Sequence, residues 1–396
     1  MNAMPGRHEF ERTDHERLRI VHCFRSPVGG IFRHVRDLVD GQIAAGHAVG
    51  IVCDANTGGD FEEAFFAKLE GRLELGLHRM TMQRAIGPGD MLALWRTFRA
   101  LKGVRPDVLH SHGAKGGAYA RIIGSMLRRS NRSLVRLYCP HGGSVHYDAS
   151  TRSGRAYFAL ERWLERMTDR LVFVSAYERD AYIEKVGQPR CPTSLVPNGL
   201  ASHEFVPVKT VPDAADFLHV GMMRDLKGTD LFIRALADLP RARAIAVGNG
   251  PDRARYVALA AELGLEDRLT FRDPMPAREA FALGRTLVVP SRAESMPYIV
   301  LEASAAQKPI IATKVGGVPE IFGDHADALV KADDADGLRD AMYLELAGRR
   351  DSPDPAAFAR DVQTRFSHEA MIASVAEAYR AARRGESSQR LTESIF

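Results

Sequence analysis

Strand-like and helix-like segments alternate along this chain in two successive series, and no other feature constrains the fold as strongly. The first series opens with the apolar run 18–24. The second restarts at 216–220, after the weakly periodic stretch 197–210, which contains Pro, Asn and Gly. Strands that alternate with helices predict parallel sheets with helices on both faces. Because 396 residues also exceed what one hydrophobic core organises, the sequence predicts the α/β class with two doubly wound, Rossmann-like domains.

The same pattern sets the expected division of the chain. The strand ends of two such domains would face one interdomain cleft, where doubly wound folds bind their ligands. From the N-terminus onward we expect a flexible segment 1–17, a first domain 18–198, a second domain 199–367, a C-terminal helix 368–384 that packs back on the first domain, and a disordered tail 385–396.

Composition narrows the functional classes. Apolar residues make up 45% of the chain and charged residues 26%, as in ordinary globular proteins, and a net charge of +4 does not indicate nucleic acid as a partner. The four cysteines are scattered without metal-type spacing, which fits a reducing compartment. The segment 1–17 is polar, and no run of 18 apolar residues occurs. We therefore expect a cytoplasmic protein whose contact with a membrane would be peripheral.

Two carboxylates, Glu294 and Glu302, flank a predicted helix start. The apolar run 286–289 predicts a buried strand before them, Ser295 a helix cap and Pro297 the first helical turn. Glu302 would then lie roughly 7–8 Å further along the helix axis. Free N–H groups between the two acids can bind an anion, so the segment suits a ligand of the form sugar–diphosphate–ribose. The alternative is a capped amphipathic helix with two solvated glutamates.

Adjacent glycines, Gly29 and Gly30, separate the first predicted strand from the first predicted helix. Because they lack a Cβ, they let backbone N–H groups approach a diphosphate or a sugar. A tight turn is the alternative, since glycine pairs form turns in many contexts. The spacing G-x-G-x-x-G, which marks dinucleotide-binding folds, is absent at this position.

Two histidines alternate in the segment 110–112, between a predicted strand and a glycine-rich helix start. His112 would lie on the loop and project into the cleft. A satisfied structural histidine is the ordinary alternative. Zinc is a second alternative, with His141 as a further ligand, but no H-E-x-x-H motif or cysteine cluster supports a metal. We therefore expect no metal site.

A basic loop follows the first strand of the second series. Arg224 and Lys227 lie three positions apart between glycines and can converge on phosphate oxygens, the arginine as a fork and the lysine as a point charge. A solvated basic loop is the alternative. The turn at Gly248 and Asn249 also follows a predicted strand and would allow a nucleotide to approach the backbone closely.

Taken together, these motifs and their order resemble those of the retaining glycosyltransferases of family 4, the group 1 glycosyl transferases, which have the GT-B fold. The resemblance implies transfer of a sugar from a nucleoside diphosphate sugar with no metal and no cofactor; a UDP-sugar is favoured and a GDP-sugar is the alternative. It also implies a saccharide or lipid-linked saccharide acceptor, in exopolysaccharide or lipopolysaccharide synthesis. The chain departs from many family members at Met222, where they carry the phosphate-binding arginine directly after a glycine.

Roles for single residues follow from this resemblance. Lys227, together with Arg224 in place of the missing arginine, would neutralise the departing nucleoside diphosphate. Glu294 would hold sugar hydroxyls, Glu302 would hold ribose hydroxyls, and His112 would contact the transferred sugar. The remaining donor-binding positions would be Gly29, Gly30, Gly248, Asn249, Ser295, Met296 and Pro297.

The acceptor is expected on the first domain. Basic and apolar residues are interleaved over Arg121–Arg136, and further basic residues lie one predicted helix earlier. Such a surface would suit anionic lipid headgroups at the inner face of the cytoplasmic membrane. An ordinary helix with a solvated basic face is the alternative. His141 and Gly142 would shape the acceptor pocket.

Three other functions fit parts of the same pattern. A sugar-nucleotide epimerase could use the same fold and cleft. A nicotinamide-dependent oxidoreductase is disfavoured because the glycine fingerprint is missing. A non-catalytic nucleotide-sugar-binding component of a polysaccharide assembly complex would require an inactive cleft.

Overall fold

The structure, a computed structural model, describes residues 16–83, 87–143, 145 and 147–386. The segments predicted to be flexible, 1–17 and 385–396, fall almost entirely outside these residues. Among the described residues, no helix combines the length and the apolar character needed to cross a bilayer.

The first half of the chain forms one sheet of parallel strands. Its strands are β1 (Arg19–Phe24), β2 (Ala48–Asp54), β3 (Leu77–Met80), β4 (Val108–His112), β5 (Val135–Cys139), β6 (Arg170–Phe173) and β7 (Thr193–Leu195). They lie in the order β3-β2-β1-β4-β5-β6-β7. Every residue of β2, β4 and β5 is buried, because helices cover the sheet.

Six helices connect these strands. They are α1 (Gly29–Ala44), α2 (Asp60–Leu69), α3 (Gly89–Val104), α4 (Gly113–Leu127), α5 (Arg152–Leu164) and α6 (Ala176–Lys185). Helix α1 shows how they pack: Phe32, Val35, Leu38 and Val39 recur at helical spacing and are buried against the sheet.

The second half repeats this architecture with a smaller sheet. Its strands are β8 (Ala215–Val220), β9 (Ala244–Val247), β10 (Leu269–Arg272), β11 (Gly284–Val289) and β12 (Ile310–Ala312), in the order β10-β9-β8-β11-β12. Its helices are α7 (Thr229–Ala237), α8 (Arg253–Glu262), α9 (Ala277–Ala282), α10 (Tyr298–Ala305), α11 (Val318–Phe322), α12 (Ala335–Leu346) and α13 (Pro355–Arg365). The predicted class, α/β with two doubly wound sheets, is confirmed. The exact domain boundary predicted at 198/199 stays a prediction.

Each sheet has a point at which the strand order reverses. In the first sheet β1 lies beside both β2 and β4, and in the second sheet β8 lies beside both β9 and β11. Ligands of doubly wound sheets bind beyond the carboxyl ends of the strands at such points. Four of the motifs singled out in the sequence lie at the carboxyl ends of β1, β4, β8 and β11.

The last helix, α14 (His368–Arg384), returns to the first half of the molecule and packs on α1. A Cβ built on Gly41 would lie 2.6 Å from Cδ1 of Ile372, so a larger residue there would require the isoleucine side chain to shift. The imidazole of His368 lies 3.1 Å from the carbonyl oxygen of Asp37. Helix α14 thus completes the covering of the first sheet.

Candidate active site

Direct contacts join the two halves of the molecule beyond the carboxyl ends of their strands. The carboxylate of Glu320, in α11, accepts hydrogen bonds from the backbone N–H groups of Ala176 and Tyr177 at 2.9 and 2.8 Å, at the start of α6. On the other side, a Cβ built on Gly30 would lie 3.9 Å from Cδ2 of Tyr298. The first turns of α1 and α10 therefore face one another between the two halves.

Three helices begin in this region without a side-chain cap and without an acidic residue in the first turn. They are α1 at Gly29, α4 at Gly113 and α10 at Tyr298. Their first N–H groups have no intrahelical acceptors, and the helix dipole makes such ends favourable for an anion. Gly29 has φ of 66°, a conformation that glycine adopts without strain.

Glu294 lies on the loop after β11, as predicted, and is almost buried. Its Oε1 accepts hydrogen bonds from Nζ of Lys227 at 2.6 Å and from Oγ of Ser291 at 2.7 Å. Lys227 reaches it from the loop after β8. The carbonyl of Glu294 packs against Gly316 so closely that a Cβ there would overlap it, and Gly316 has φ of 58°. The main chain of the second half thus fixes the position of this carboxylate.

Glu302 lies in the second turn of α10 and forms an ion pair with the other half of the molecule. Its Oε1 accepts a hydrogen bond from Nη1 of Arg33 at 2.8 Å. The same guanidinium also binds Asp37 and Glu204. Burial raises the pKa of Glu302 to about 7, against the opposing effect of Arg33. Arg33 of α1 therefore binds Glu302, the carboxylate that is predicted to hold the ribose.

The predicted helix start at Ser295 and Pro297 is wrong in detail. Pro297 has ψ of 117°, outside the helical range, and helix α10 begins one residue later. Ser295 does not cap it, since its Oγ lies 3.4 Å from Oε1 of Glu178 and its carbonyl accepts the N–H of Gly317 at 2.8 Å. These tertiary bonds hold the segment 295–297 outside the helix, with the backbone bent at Ser295 and Met296. The donor-binding roles of Ser295, Met296 and Pro297 stay predictions.

The predicted phosphate-binding loop and the neighbouring turn lie side by side. The N–H of Met223 donates to the carbonyl of Asn249 at 2.9 Å. Gly248 has φ of 144°, and a Cβ there would overlap the carbonyl of Gly221. Arg224 is partly exposed on this loop, three residues before Lys227. The roles of Arg224, Gly248 and Asn249 in donor binding stay predictions.

His112 does not lie on a loop as predicted. Strand β4 continues through it, because its backbone pairs with Phe24 of β1 and Cys139 of β5. The side chain is buried with an exposed fraction of 1%. Its Nδ1 lies 3.1 Å from Nε2 of His141, and its Nε2 lies 3.0 Å from Nδ1 of His22. His112 is thus the last strand residue before the uncapped start of α4, and it belongs to a cluster of histidines.

Burial favours the neutral form of each imidazole in the cluster, whose members are His22, His34, His110, His112 and His141. Burial lowers the pKa of His22 to about 4 and that of His141 to about 3. Burial and neighbouring imidazoles lower the pKa of His34, His110 and His112 well below the ordinary histidine value. Several imidazolium charges could not share so small a space without water.

Two groups of side chains in the described part of the chain could hold a metal ion, and in each the candidate ligand atoms lie within 4.8 Å of one another. A tetrahedral zinc ion, with bonds of about 2.0–2.1 Å to nitrogen, needs ligand atoms roughly 3.4 Å apart. Both nitrogens of His112 already make hydrogen bonds. Because a zinc ion would have to replace one of these hydrogen bonds, zinc stays an alternative hypothesis. The groups are His34, His112, Cys139 and His141, and His22, His110 and His112.

The buried carboxylate of Glu178 binds the backbone of the loop that is predicted to shape the acceptor pocket. His141 and Gly142 both adopt left-handed conformations, with φ of 51° and 75°. The backbone N–H of Gly142 donates to Oε1 of Glu178, and the N–H of Val174 donates to its Oε2 at 3.0 Å. Burial raises the pKa of Glu178 to about 7. The acceptor roles of His141 and Gly142 stay predictions.

The expectation that Arg121–Arg136 forms a basic surface is wrong for its two end residues. Arg121 is fully buried: it donates to Glu161 at 2.9 Å and lies 3.9 Å above the ring of Tyr138. Arg136 is also buried and donates to both oxygens of Asp169 at 3.0 Å. Of the apolar residues between them, Ile123, Leu127 and Leu134 are buried, whereas Met126 is 39% exposed.

Sequence patterns did not indicate Arg33 or Glu178 as site residues. Arg33 precedes Asp37 by four positions, which indicates only a local ion pair on a helix surface. Glu178 lies three residues after Ser175, a spacing typical of a helix cap. Their partners across the interdomain contact, Glu302 and Ser295, are more than 100 positions away in the sequence.

Two family models match the chain over most of its length. The model described as Glycosyl transferase 4-like domain matches residues 29–199. The model described as Glycosyl transferases group 1 matches residues 214–347. The first model covers the first sheet except strand β1, and the second model covers the whole of the second sheet.

Relatives and solved structures agree with these matches. The chain is 27% identical to D-inositol 3-phosphate glycosyltransferase of Nocardia farcinica, over 69% of this chain and 66% of the relative, which is just under two thirds of its length. It is 26% identical to glycogen synthase of Mycobacterium tuberculosis, over 91% and 92% of the two chains. Sucrose-phosphate synthase of Thermosynechococcus elongatus superposes with a TM-score of 0.73 at 21% identity, over 91% and 98%. The last likeness shows the fold.

Proposed function

Because the chain belongs to the family 4 glycosyltransferases, the group 1 glycosyl transferases with the GT-B fold, we propose that it transfers a sugar, with retention and without a metal, from a nucleoside diphosphate sugar to a saccharide or lipid-linked saccharide. The observation that supports this most directly is the Lys227–Glu294 pair beside the uncapped start of α10. A cation, a helix start and a carboxylate suit a diphosphate that carries a sugar.

The proposed chemistry is electrostatic. As the bond from the sugar to the diphosphate breaks, negative charge grows on the leaving oxygen. Lys227 and Arg224 neutralise that charge, and cations held in place before the reaction stabilise it at no reorganisation cost. Glu294 holds sugar hydroxyls and His112 contacts the transferred sugar. The acceptor hydroxyl attacks from the face that the diphosphate leaves, and its proton passes to the departing diphosphate oxygen. Glu302 binds the ribose once Arg33 shares or releases it.

A nucleotide binding screen tests the donor class. We expect UDP or GDP to stabilise the protein in a thermal unfolding experiment, whereas NAD and NADP leave it unchanged. A ligand at 100 times its dissociation constant adds about 2.7 kcal/mol to the free energy of unfolding. An absence of any shift with millimolar nucleoside diphosphates would contradict the proposal. Incubation with the sugar nucleotide alone separates transfer from epimerisation, because an epimerase changes the sugar without an acceptor.

For the acceptor we propose contact with an anionic membrane, through α3 rather than through Arg121–Arg136. Met91, Leu92 and Trp95 are 75%, 50% and 51% exposed. The guanidinium of Arg99 lies 4.9 Å from the centre of the Trp95 ring. Apolar residues at the start of the helix and cations after them suit the boundary between acyl chains and anionic headgroups. The exposed cations of this helix are Arg96, Arg99 and Lys102.

The two tryptophans of the chain make a matched test of this surface. Trp163→Phe leaves Trp95 as the only tryptophan, and Trp95→Phe leaves Trp163, which is 48% exposed on α5. We expect phosphatidylglycerol vesicles to shift the emission of Trp95 to shorter wavelength and to leave that of Trp163 unchanged. Phosphatidylcholine vesicles should shift neither. Equal responses of the two tryptophans would contradict the assignment to α3.

A further inference from the structure

A hydrogen-bonded network of side chains runs through the interior of the first domain from His112 towards α14. Nδ1 of His112 lies 3.1 Å from Nε2 of His141, which is partly exposed. Nε2 of His112 lies 3.0 Å from Nδ1 of His22, in the neighbouring strand β1. Nε2 of His22 in turn lies 2.8 Å from Oε1 of Gln42, in α1. Hydrogen bonds thus connect the three imidazoles and the amide of Gln42 in series.

The network continues into the C-terminal helix. Nε2 of Gln42 donates to Oη of Tyr379 at 3.0 Å, and this oxygen lies 2.9 Å from Nδ1 of His110. All of these side chains except His141 are buried, with Tyr379 exposed by 1%. We call the set the histidine network; its members are His141, His112, His22, Gln42, Tyr379 and His110.

Counting donors and acceptors places the protons. A neutral imidazole has one N–H donor and one acceptor nitrogen, and an amide oxygen only accepts. Because His22 faces Oε1 of Gln42, His22 carries its proton on Nε2 and accepts with Nδ1. His112 therefore carries its proton on Nε2 and accepts with Nδ1, and His141 donates to it from Nε2. These protons are assigned from the orientation of one amide.

The same count predicts where the protons of His22 and His112 would lie if the amide of Gln42 were rotated by 180° about its Cγ–Cδ bond. With its NH2 group towards His22, the amide would donate, and His22 and His112 would both carry their protons on Nδ1. His112 would then donate towards His141 instead of accepting. The hydroxyl of Tyr379 gives the amide NH2 an acceptor in the observed orientation. The proton position on His112 therefore depends on a side chain two contacts away.

We propose that Gln42 is a positioning residue for His112: acting through His22, it keeps Nδ1 of His112 as a hydrogen-bond acceptor on the side of His141. This inference rests on the proposed function, in which His112 contacts the transferred sugar. A sugar hydroxyl that takes the place of His141 donates to this nitrogen. Tyr379 supports Gln42 from α14, so the C-terminal helix takes part in arranging the site.

Nuclear magnetic resonance of protein labelled with ¹⁵N in histidine tests the inference without an activity assay, because protonated and unprotonated ring nitrogens differ in chemical shift. We expect His112 in the wild-type protein to be protonated on Nε2. Gln42→Glu should keep this tautomer, since a carboxylate only accepts. Gln42→Leu should give a mixture of tautomers, and so should the milder Tyr379→Phe, which frees the amide to turn. Protonation of His112 on Nδ1, or one unchanged tautomer in all variants, would overturn the inference.

Kinetics supply the second readout. The turnover of Gln42→Leu should fall by about threefold to tenfold, the effect of one ordinary hydrogen bond, and that of Gln42→Glu should fall less. Affinity for the bare nucleoside diphosphate should stay unchanged, because the network faces the sugar. Thr97→Val is the matched control: it removes a buried hydroxyl that donates to Ala93 within α3 at 2.8 Å, and its turnover should equal that of the wild type.

The two readouts separate the inference from the proposed function. Wild-type protein that transfers no sugar contradicts the proposed function, whereas the tautomer measurement still decides on Gln42. Normal transfer in Gln42→Leu, or a loss in Gln42→Glu as large as in Gln42→Leu, contradicts the positioning role alone.

Discussion

Lys227 and Glu294 form an ion pair of 2.6 Å, and the hydroxyl of Ser291 donates to the same carboxylate oxygen at 2.7 Å. The pair is mostly shielded, with side-chain exposures of 23% and 8%. Under the proposed function a sugar nucleotide would compete for both partners at once, because its diphosphate would attract the lysine and its sugar hydroxyls would donate to the carboxylate. A bare nucleoside diphosphate competes for the lysine only. The two ligands should therefore respond differently to changes in this pair.

Glu294→Gln should raise the affinity for the bare nucleoside diphosphate by about threefold while sugar transfer falls. The substitution removes the anion that competes for Lys227, and a threefold gain in affinity corresponds to roughly 0.7 kcal/mol. Calorimetric titration measures the affinity, and product formation measures the transfer. If Glu294→Gln bound the diphosphate as weakly as Lys227→Ala does, the carboxylate would not be competing for the lysine.

Lys227→Ala and Arg224→Ala should each reduce turnover by about 100-fold or more, as the loss of comparable oxyanion contacts does. Stability should change little in Arg224→Ala, whereas Lys227→Ala also leaves the nearly buried carboxylate of Glu294 without its cation. Lys314→Ala serves as control, since Lys314 is 53% exposed and pairs only at 3.8 Å with Asp327. Steady-state kinetics with each variant are the measurement. Normal turnover in Arg224→Ala would show that Arg224 does not replace the arginine missing at Met222.

Nucleoside diphosphate binding should strengthen as Glu302 ionises. Its pKa is raised to about 7 by burial, so its ionised fraction grows about tenfold between roughly pH 6 and pH 8. A ribose hydroxyl donates more strongly to a carboxylate than to a carboxylic acid. The ratio of the wild-type affinity to that of Glu302→Gln should therefore rise by up to about tenfold over this range. The ionisation of the nucleoside diphosphate itself affects both proteins equally and cancels in this ratio of affinities. A ratio that does not change with pH would contradict the proposed role of Glu302 in binding ribose.

Acid should destabilise the fold through its neutral buried histidines. Burial lowers the pKa of His219 to about 4, below its ordinary value, so the unfolded chain binds more protons as the pH falls. Its contribution to stability is complete above pH 6.5 and is lost as the pH falls towards 4. His219→Gln should reduce the dependence of the unfolding free energy on pH by about one proton, measured by urea unfolding between roughly pH 4.5 and 6.5. An unchanged slope would show that His219 is not neutral in the folded protein.

The sequence predicted most of the sheets, because their buried strands are continuous apolar runs between turn residues. Strand β3 was not predicted, since it lies at the edge of the sheet and its residues are not buried. The order of motifs along the chain also predicted which loops carry the charged residues. Local patterns are sufficient for these features because they depend on neighbours close in sequence.

Other features of the site depend on contacts that no local pattern contains. Arg33 binds Glu302 across 269 positions of sequence, and Gln42 reaches Tyr379 across 337. Ser295 follows the sequence rule for a cap, but its side chain and carbonyl bond elsewhere in the fold. Arg121 follows the pattern of a basic surface residue, yet its guanidinium is neutralised by Glu161 in the interior. Tertiary partners outweighed local preference at each of these positions.

The return of α14 to the first half of the molecule fixes an order of events during synthesis. Residues 19–195, which contain the entire first sheet, emerge from the ribosome long before Ile372 and Tyr379 are synthesised. Until then the face of α1 around Gly41 is open and the amide of Gln42 has no partner from α14. A chain that ends after residue 367 would contain every strand of both sheets but would leave the face of α1 that α14 covers exposed.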